Sequence, residues 1–225
     1  MRLTSAVALV ALAACSGAFG GRVREEFHQA IAAGAGTTVH VDNVAGSISV
    51  DAWSKPSVDV RATKYGYDAH ELQSVAIEVR KEGDAVFVRT VYRGTHHGGV
   101  RYRITVPADA SLAISNVAGA VDLAGTGGDV TVDTQAGAIT ADVGRVAGSR
   151  SIDLHATTGA VKLTLAPDSS AAIEASSTVG AVTSQIPGVP ASRENLVGAR
   201  AGGTIGSGSA RIRVGTTTGA IALRF

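Results

Sequence analysis

The sequence predicts an all-β chain built as a β-solenoid-like repeat stack, and three observations predict it. A glycine-centred pattern returns six times. Around each copy apolar residues alternate with polar ones, the period-two signature of half-buried strands. The glycines Gly119, Gly137, Gly159 and Gly180 recur about every 20 residues, a period of solenoids and related repetitive sheets.

Composition narrows the chemistry. Of 225 residues 28 are glycine, and 45% are hydrophobic but only 4% aromatic. Val, Ala, Ile and Leu must therefore supply the buried area in many thin layers. The formal charge of +1 argues against a nucleic-acid partner, because such binding runs on phosphate neutralisation. Cys15 is the only cysteine, so no intrachain disulfide can form. Stability has to come from packing and backbone pairing.

Residues 1–14 read as a signal peptide. Arg2 supplies a positive charge, and the apolar run from Leu3 to Ala14 is too short for a permanent membrane helix. The run ends in Leu12-Ala13-Ala14-Cys15, which resembles the bacterial lipobox. That resemblance implies a lipidated Cys15 as first residue of the mature protein. It also implies, with Ser16 following, outer-membrane sorting if the host has two membranes. The alternative is an ordinary signal cleaved near Ala18, which would discard Cys15. The lipobox is preferred because the sole cysteine occupies the one position it requires. Residues 15–21 then form a short Gly- and Ser-rich tether.

Residues 22–225 form a single β-repeat domain. Val23 to Ile31 suits a helix face through Val23, Phe27 and Ile31, but Phe27, Gln29 and Ile31 also suit a strand. The neighbouring strands favour the latter. Ala32 to Thr38 contains glycines yet lacks the Gly-Lys-Ser/Thr ending of a phosphate loop.

The repeat aligns on Gly46, Gly119, Gly137, Gly159, Gly180 and Gly219, each followed by Ser47 or an alanine and then by Ile or Val. Three residues before the glycine stand Asn43, Asn116, Thr134, Ala156, Ser177 and Thr216. Glycine allows a turn barred to other residues, and Asn, Ser or Thr fixes it by hydrogen-bonding nearby backbone. Two segments depart from the frame. Residues 56–107 are richer in charge and read as an inserted antiparallel sheet covering one end of the stack, with a hairpin at Glu82-Gly83-Asp84. Residues 187–209, with Pro187, Pro190 and many glycines, read as a loop excursion.

The order SISVDAW, charged hairpin, RYRITVPADASLAISNVAGAV and glycine-marked rungs resembles a bacterial family of β-strand-repeat domains of unknown function, labelled putative adhesins. The resemblance covers nearly all of the mature chain and implies an adhesive role. It brings no catalytic or binding residues.

Four constellations hold residue types that could carry chemistry. Aligned copies put Asp133, His155 and Ser176 in one outward column on successive rungs, the ingredients of a nucleophilic triad. A flat face offers them no oxyanion hole and no water-excluding pocket, so a polar surface column is preferred. His96-His97 could hold a metal, but His28, His40, His70 and His155 show no ligand spacing, and a solvated loop is preferred. Arg89, Arg93, Arg101 and Arg103 read as a solvated face, the alternative being contact with anionic lipid head groups or acidic glycans. Trp53 reads as a cap on the core rather than a sugar platform.

Taken together, the residues predict an exported, lipid-anchored cell-envelope protein whose only site residue is Cys15, with no catalytic residues, metal ligands or cofactor. Its role is structural, adhesin-like or protein-binding, with an envelope protein or glycan as partner beside the membrane itself. Two alternatives stay open: an envelope hydrolase using the Asp133, His155 and Ser176 column, and an assembly or regulatory subunit of a membrane complex.

Overall fold

The computed structural model describes residues 23–94, 98–193 and 197–225. The signal segment with Cys15, the tether and His96-His97 lie outside the described residues. Strands dominate, and they form two facing sheets with the core between them.

A rung shows why. In β12 (Ser151–Thr158) Ile152, Leu154 and Ala156 are buried, while His155 is exposed. Gly159 turns the chain at φ 152° into β13 (Val161–Thr164), where Val161 and Leu163 are buried and Lys162 is exposed. The glycine is needed twice over. Its φ is barred to other residues, and a Cβ there would collide with the carbonyl of Gly137 in the neighbouring rung. Each rung thus gives a long strand to one sheet and a short strand to the other.

In chain order the elements are as follows. β1 (Val23–Ala32) confirms a strand rather than a helix before the first rung, and β2 (Thr38–Ala45) with β3 (Ile48–Trp53) is that rung. The insertion supplies β4 (Ser57–Gly66), helix α1 (Ala69–Ser74), β5 (Val75–Glu82), β6 (Ala85–Tyr92) and β7 (Gly99–Pro107). Next come β8 (Ser111–Ala118) with β9 (Val121–Ala124), β10 (Val130–Ala136) with β11 (Ile139–Asp142), and the β12–β13 rung. β14 (Ala171–Val179) with β15 (Val182–Ser184) precedes β16 (Ala191–Arg193) and β17 (Ala199–Ile205). The last rung is β18 (Ala210–Thr218) with β19 (Ile221–Arg224).

One sheet runs β1-β4-β7-β3-β9-β11-β13-β19-β15, the other β16-β17-β14-β18-β12-β10-β8-β2-β6-β5. Strands of successive rungs pair in parallel, as stacked coils must.

Three expectations need correction. The insertion does occupy one end, but not as one sheet. Its antiparallel pair β4 and β7 extends the nine-stranded sheet, and β5 with β6 extends the other. Both sheets have to be continued, because each ends in open backbone. Residues 187–209 are not loop alone, since they contain β16 and β17, and β17 pairs antiparallel with β14. Finally, the stack does not follow chain order. β18 lies between β12 and β14, and β19 between β13 and β15. Gly159 N–H donates to Thr218 at 2.9 Å, and Gly219 N–H to Val179 at 3.0 Å. The last rung fills a slot left between its predecessors.

Buried polar groups tie the frame together. Tyr102 donates its hydroxyl to Thr90 Oγ1 at 2.7 Å, and Thr90 donates to Asn43 Oδ1 at 2.9 Å. Asn43 Nδ2 continues to Gly46 O and Asn116 Oδ1, and Asn116 Nδ2 donates to Gly119 O at 2.9 Å. Buried Arg150 donates to the carbonyls of Gly128 at 2.6 Å and Val143 at 3.2 Å, and to that of Thr126, holding two inter-rung loops together. Such groups must be satisfied or they destabilise the core.

Candidate functional site

The outward column predicted from the repeat becomes, in stack order, Asp42, Ser115, Asp133, His155, Gly215 and Ser176. Asp133 and His155 are neighbours. His155 and Ser176 are not, because β18 brings Gly215 between them. At about 4.8 Å per strand, two spacings separate serine from histidine by roughly 9.6 Å. No hydrogen bond joins the three among the described residues. The expectation of three successive rungs was wrong for that reason. The copy that breaks the column was itself legible, since Gly215 stands four residues before Gly219 as His155 stands before Gly159.

The glycine has a positive consequence. Without a side chain at Gly215, and with Gly202 on β17 beside Glu174, the face sinks into a groove of about 770 Å³ across five strands. A Cβ on Gly215 would come within 2.9 Å of His155 Nδ1, so the imidazole leans over the gap. Along one line lie Asp133, His155, Gly215, Ser176 and Arg200. Along the next lie Thr131, Asp153, Arg213, Glu174 and Gly202. Arg213 therefore stands between two carboxylates, with Nη1 3.9 Å from Asp153 Oδ1. The lining carries both charges and no Phe, Tyr or Trp. Such a surface suits a polar partner of mixed charge. It matches neither an aromatic-lined sugar cleft nor a flat apolar strip.

The chain compares with known proteins as follows. A family model described as Toastrack DUF4097 matches residues 98–224, more than half of the sequence. The chain belongs to the Toastrack DUF4097 family. A solved structure of a putative cell adhesion protein from Clostridium sporogenes superposes with a TM-score of 0.65 at 11% identity, over 91% of this chain and 99% of that one. A putative adhesin from Parabacteroides distasonis aligns over 89% of this chain and 97% of its own, with a TM-score of 0.27 and 10% identity. No curated protein matches. Family membership and the first superposition agree on the all-β repeat fold with two sheets.

The remaining candidates disperse over this Toastrack domain. Arg89 lies on the ten-stranded sheet and pairs with Asp42 at 3.1 Å. Arg93 follows β6 and donates its backbone N–H to Ser74. Arg101 and Arg103 lie on β7 in the nine-stranded sheet. The four arginines are therefore not one patch, because β6 and β7 belong to different sheets. Trp53 ends β3 half-buried and donates Nε1–H to Ser57 O at 2.7 Å, with Lys55 Nζ over the ring at 4.9 Å. It clips the turn into β4. His28 pairs with Asp59, His40 stacks on Phe87 at 4.6 Å, and His70 lies in α1. Among the described residues no group of three or more His, Cys, Asp or Glu could hold a metal ion.

Proposed function

We propose that the chain is an exported cell-envelope protein, lipid-anchored through Cys15, with an adhesin-like or protein-binding role and no catalysis. The single observation behind this reading is the groove over Gly215. It is broad and open, it carries both charges on a rigid stack, and the strand of Gly215 parts its histidine from its serine. A nucleophilic site needs the base within hydrogen-bond reach of the nucleophile. A binding groove needs only shape and complementary polar groups. The description of the Clostridium sporogenes protein as a putative cell adhesion protein agrees with this reading. So does the lipobox resemblance ending at Cys15.

The test uses purified Cys15→Ser protein. We predict no esterase or peptidase turnover above a His155→Ala control. We predict binding to envelope material that Gly215→Trp abolishes by filling the groove, with an unchanged melting temperature. Turnover lost equally in Ser176→Ala and His155→Ala would falsify the non-catalytic reading and favour the hydrolase.

A further inference from the structure

The outer face of the nine-stranded sheet holds a second depression, of about 510 Å³, far from the groove in sheet topology. Antiparallel pairing of β4 with β7 sets Arg61 directly opposite Arg103 and Thr63 opposite Arg101. Parallel pairing of β7 with β3 sets Ser49 beside Arg103, and Ser47 lines the same depression. Arg101 and Arg103 make no ion pair and no side-chain hydrogen bond among the described residues. Arg61 donates Nε–H to Asp59 Oδ2 at 3.0 Å, which leaves its terminal nitrogens over. The one carboxylate in the lining, Glu26, accepts from Thr63 Oγ1 at 3.0 Å. The neighbouring charged positions are His28 beside Arg61, itself bound to Asp59, and Asp122 beyond Ser49.

Like charges directly opposite on paired strands destabilise a sheet. Here two guanidinium groups face each other with a third two residues away; Asp59 is taken up by His28 and Arg61, Glu26 accepts from Thr63, and Asp122 lies one strand further out, beyond Ser49. An anion seated between them removes that cost. Arginine forks match oxyanions bidentately, and three of them with serine hydroxyls present more donors than a two-oxygen carboxylate can accept. A phosphate group, with three or four oxygens pointing apart, can.

We propose that the Arg61, Arg101 and Arg103 depression is a phosphate-binding site, its ligand a phosphate monoester carried by a lipid head group or by a soluble molecule. The inference does not depend on the groove of the other sheet.

The experiment uses the full chain with Cys15→Ser, so that acylation cannot supply membrane binding. One arm titrates inorganic phosphate and glycerol phosphate, and the other uses phosphatidic acid vesicles, whose phosphomonoester leaves three oxygens free, against phosphatidylcholine vesicles, whose phosphodiester leaves two. Arg101→Gln and Arg103→Gln should each weaken phosphate-dependent binding about tenfold or more, and Arg213→Gln on the opposite sheet should not. Vesicle binding that glycerol phosphate competes and Arg103→Gln weakens identifies the head-group source, and glycerol phosphate binding without vesicle binding identifies the soluble one; vesicle binding that glycerol phosphate leaves untouched counts against the site. In either case phosphate should raise the melting temperature of the parent chain but not of Arg103→Gln. Absence of any phosphate or vesicle binding overturns the proposal. So does an equal loss in Arg213→Gln, or binding confined to a carboxylated glycan such as polygalacturonate.

Discussion

Asp59 has both carboxylate oxygens engaged on the outer face of the nine-stranded sheet. Oδ1 meets His28 Nε2 at 2.5 Å, and Oδ2 accepts from Arg61 Nε at 3.0 Å. Burial alone would push this carboxyl up. The hydrogen bonds and charges of His28 and Arg61 outweigh burial and hold it below its ordinary value. Because the folded value is the lower one, the contribution to stability is present above the unfolded value near pH 4. It is lost as pH falls through the folded value. We predict that urea unfolding of the parent chain weakens more steeply below about pH 4 than that of Asp59→Asn. Parallel pH profiles would count against the assignment. Since His28 belongs to β1 and Asp59 to β4, the same contact ties the edge strand to the sheet. The histidine was visible in the sequence, but its partner 31 residues away was not.

At the scale of elements, the informative feature is the last rung, which enters the stack between two earlier ones. The columns of the repeat are nearly interchangeable, so any copy can pair with any other. Connections decide the order. After β13 the chain skips one strand spacing to β14, makes the excursion through β16 and β17, and returns to fill the slot. Ser170 secures the crossing, accepting from Ala210 N–H at 3.2 Å through its carbonyl and from Ser207 N–H at 2.9 Å through Oγ. Cross-linking can check this order in a Cys15→Ser background. Asp153→Cys with Arg213→Cys places two cysteines on paired strands, at about 4.8 Å between Cα atoms, within disulfide reach. Asp153→Cys with Glu174→Cys places them two strands apart, at roughly 9.6 Å, beyond it. We predict rapid oxidation of the first pair and none of the second, read as a mobility shift on non-reducing gels. The reverse result would restore chain order. Helix α1 lies inside the insertion, where the sequence reads as strands only. Asp68 accepts from Glu71 N–H at 2.8 Å, and Glu71 Oε2 accepts from Tyr67 N–H at 2.7 Å. That capping pair was present in the sequence three residues apart.

For the whole molecule, the two sheets present different outer faces. One carries a groove of mixed charge over Gly215, the other a depression dominated by arginine. Anchoring would hold both near a membrane, and the anchor is open to a simple test. We predict that the parent chain pellets with membranes after a high-salt wash and that Cys15→Ser becomes soluble. Two or more acyl chains anchor stably because each buried methylene contributes about 0.8 kcal/mol. A Cys15→Ser chain that still pellets would sink the lipid-anchor proposal.

The amino-acid order by itself determined the rung. Alternation marked which side chains face inward, and the glycine column, with an Asn, Ser or Thr companion at five of its six positions, marked the turn inside each rung, because both are local constraints on φ and on burial. It also held the Toastrack resemblance, which is a property of that order. Only the tertiary structure decided which rung lies beside which, that the insertion divides between both sheets, and that Arg61 faces Arg103 while Arg89 lies on the other sheet. These are long-range pairings between segments with equivalent patterns. Local propensity assigns them equal energies, and the lengths and hydrogen bonds of the connections break the tie. The groove is the clearest case. His155 and Ser176 occupy one column in the sequence, and it took the insertion of Gly215 between them to turn that column into a gap.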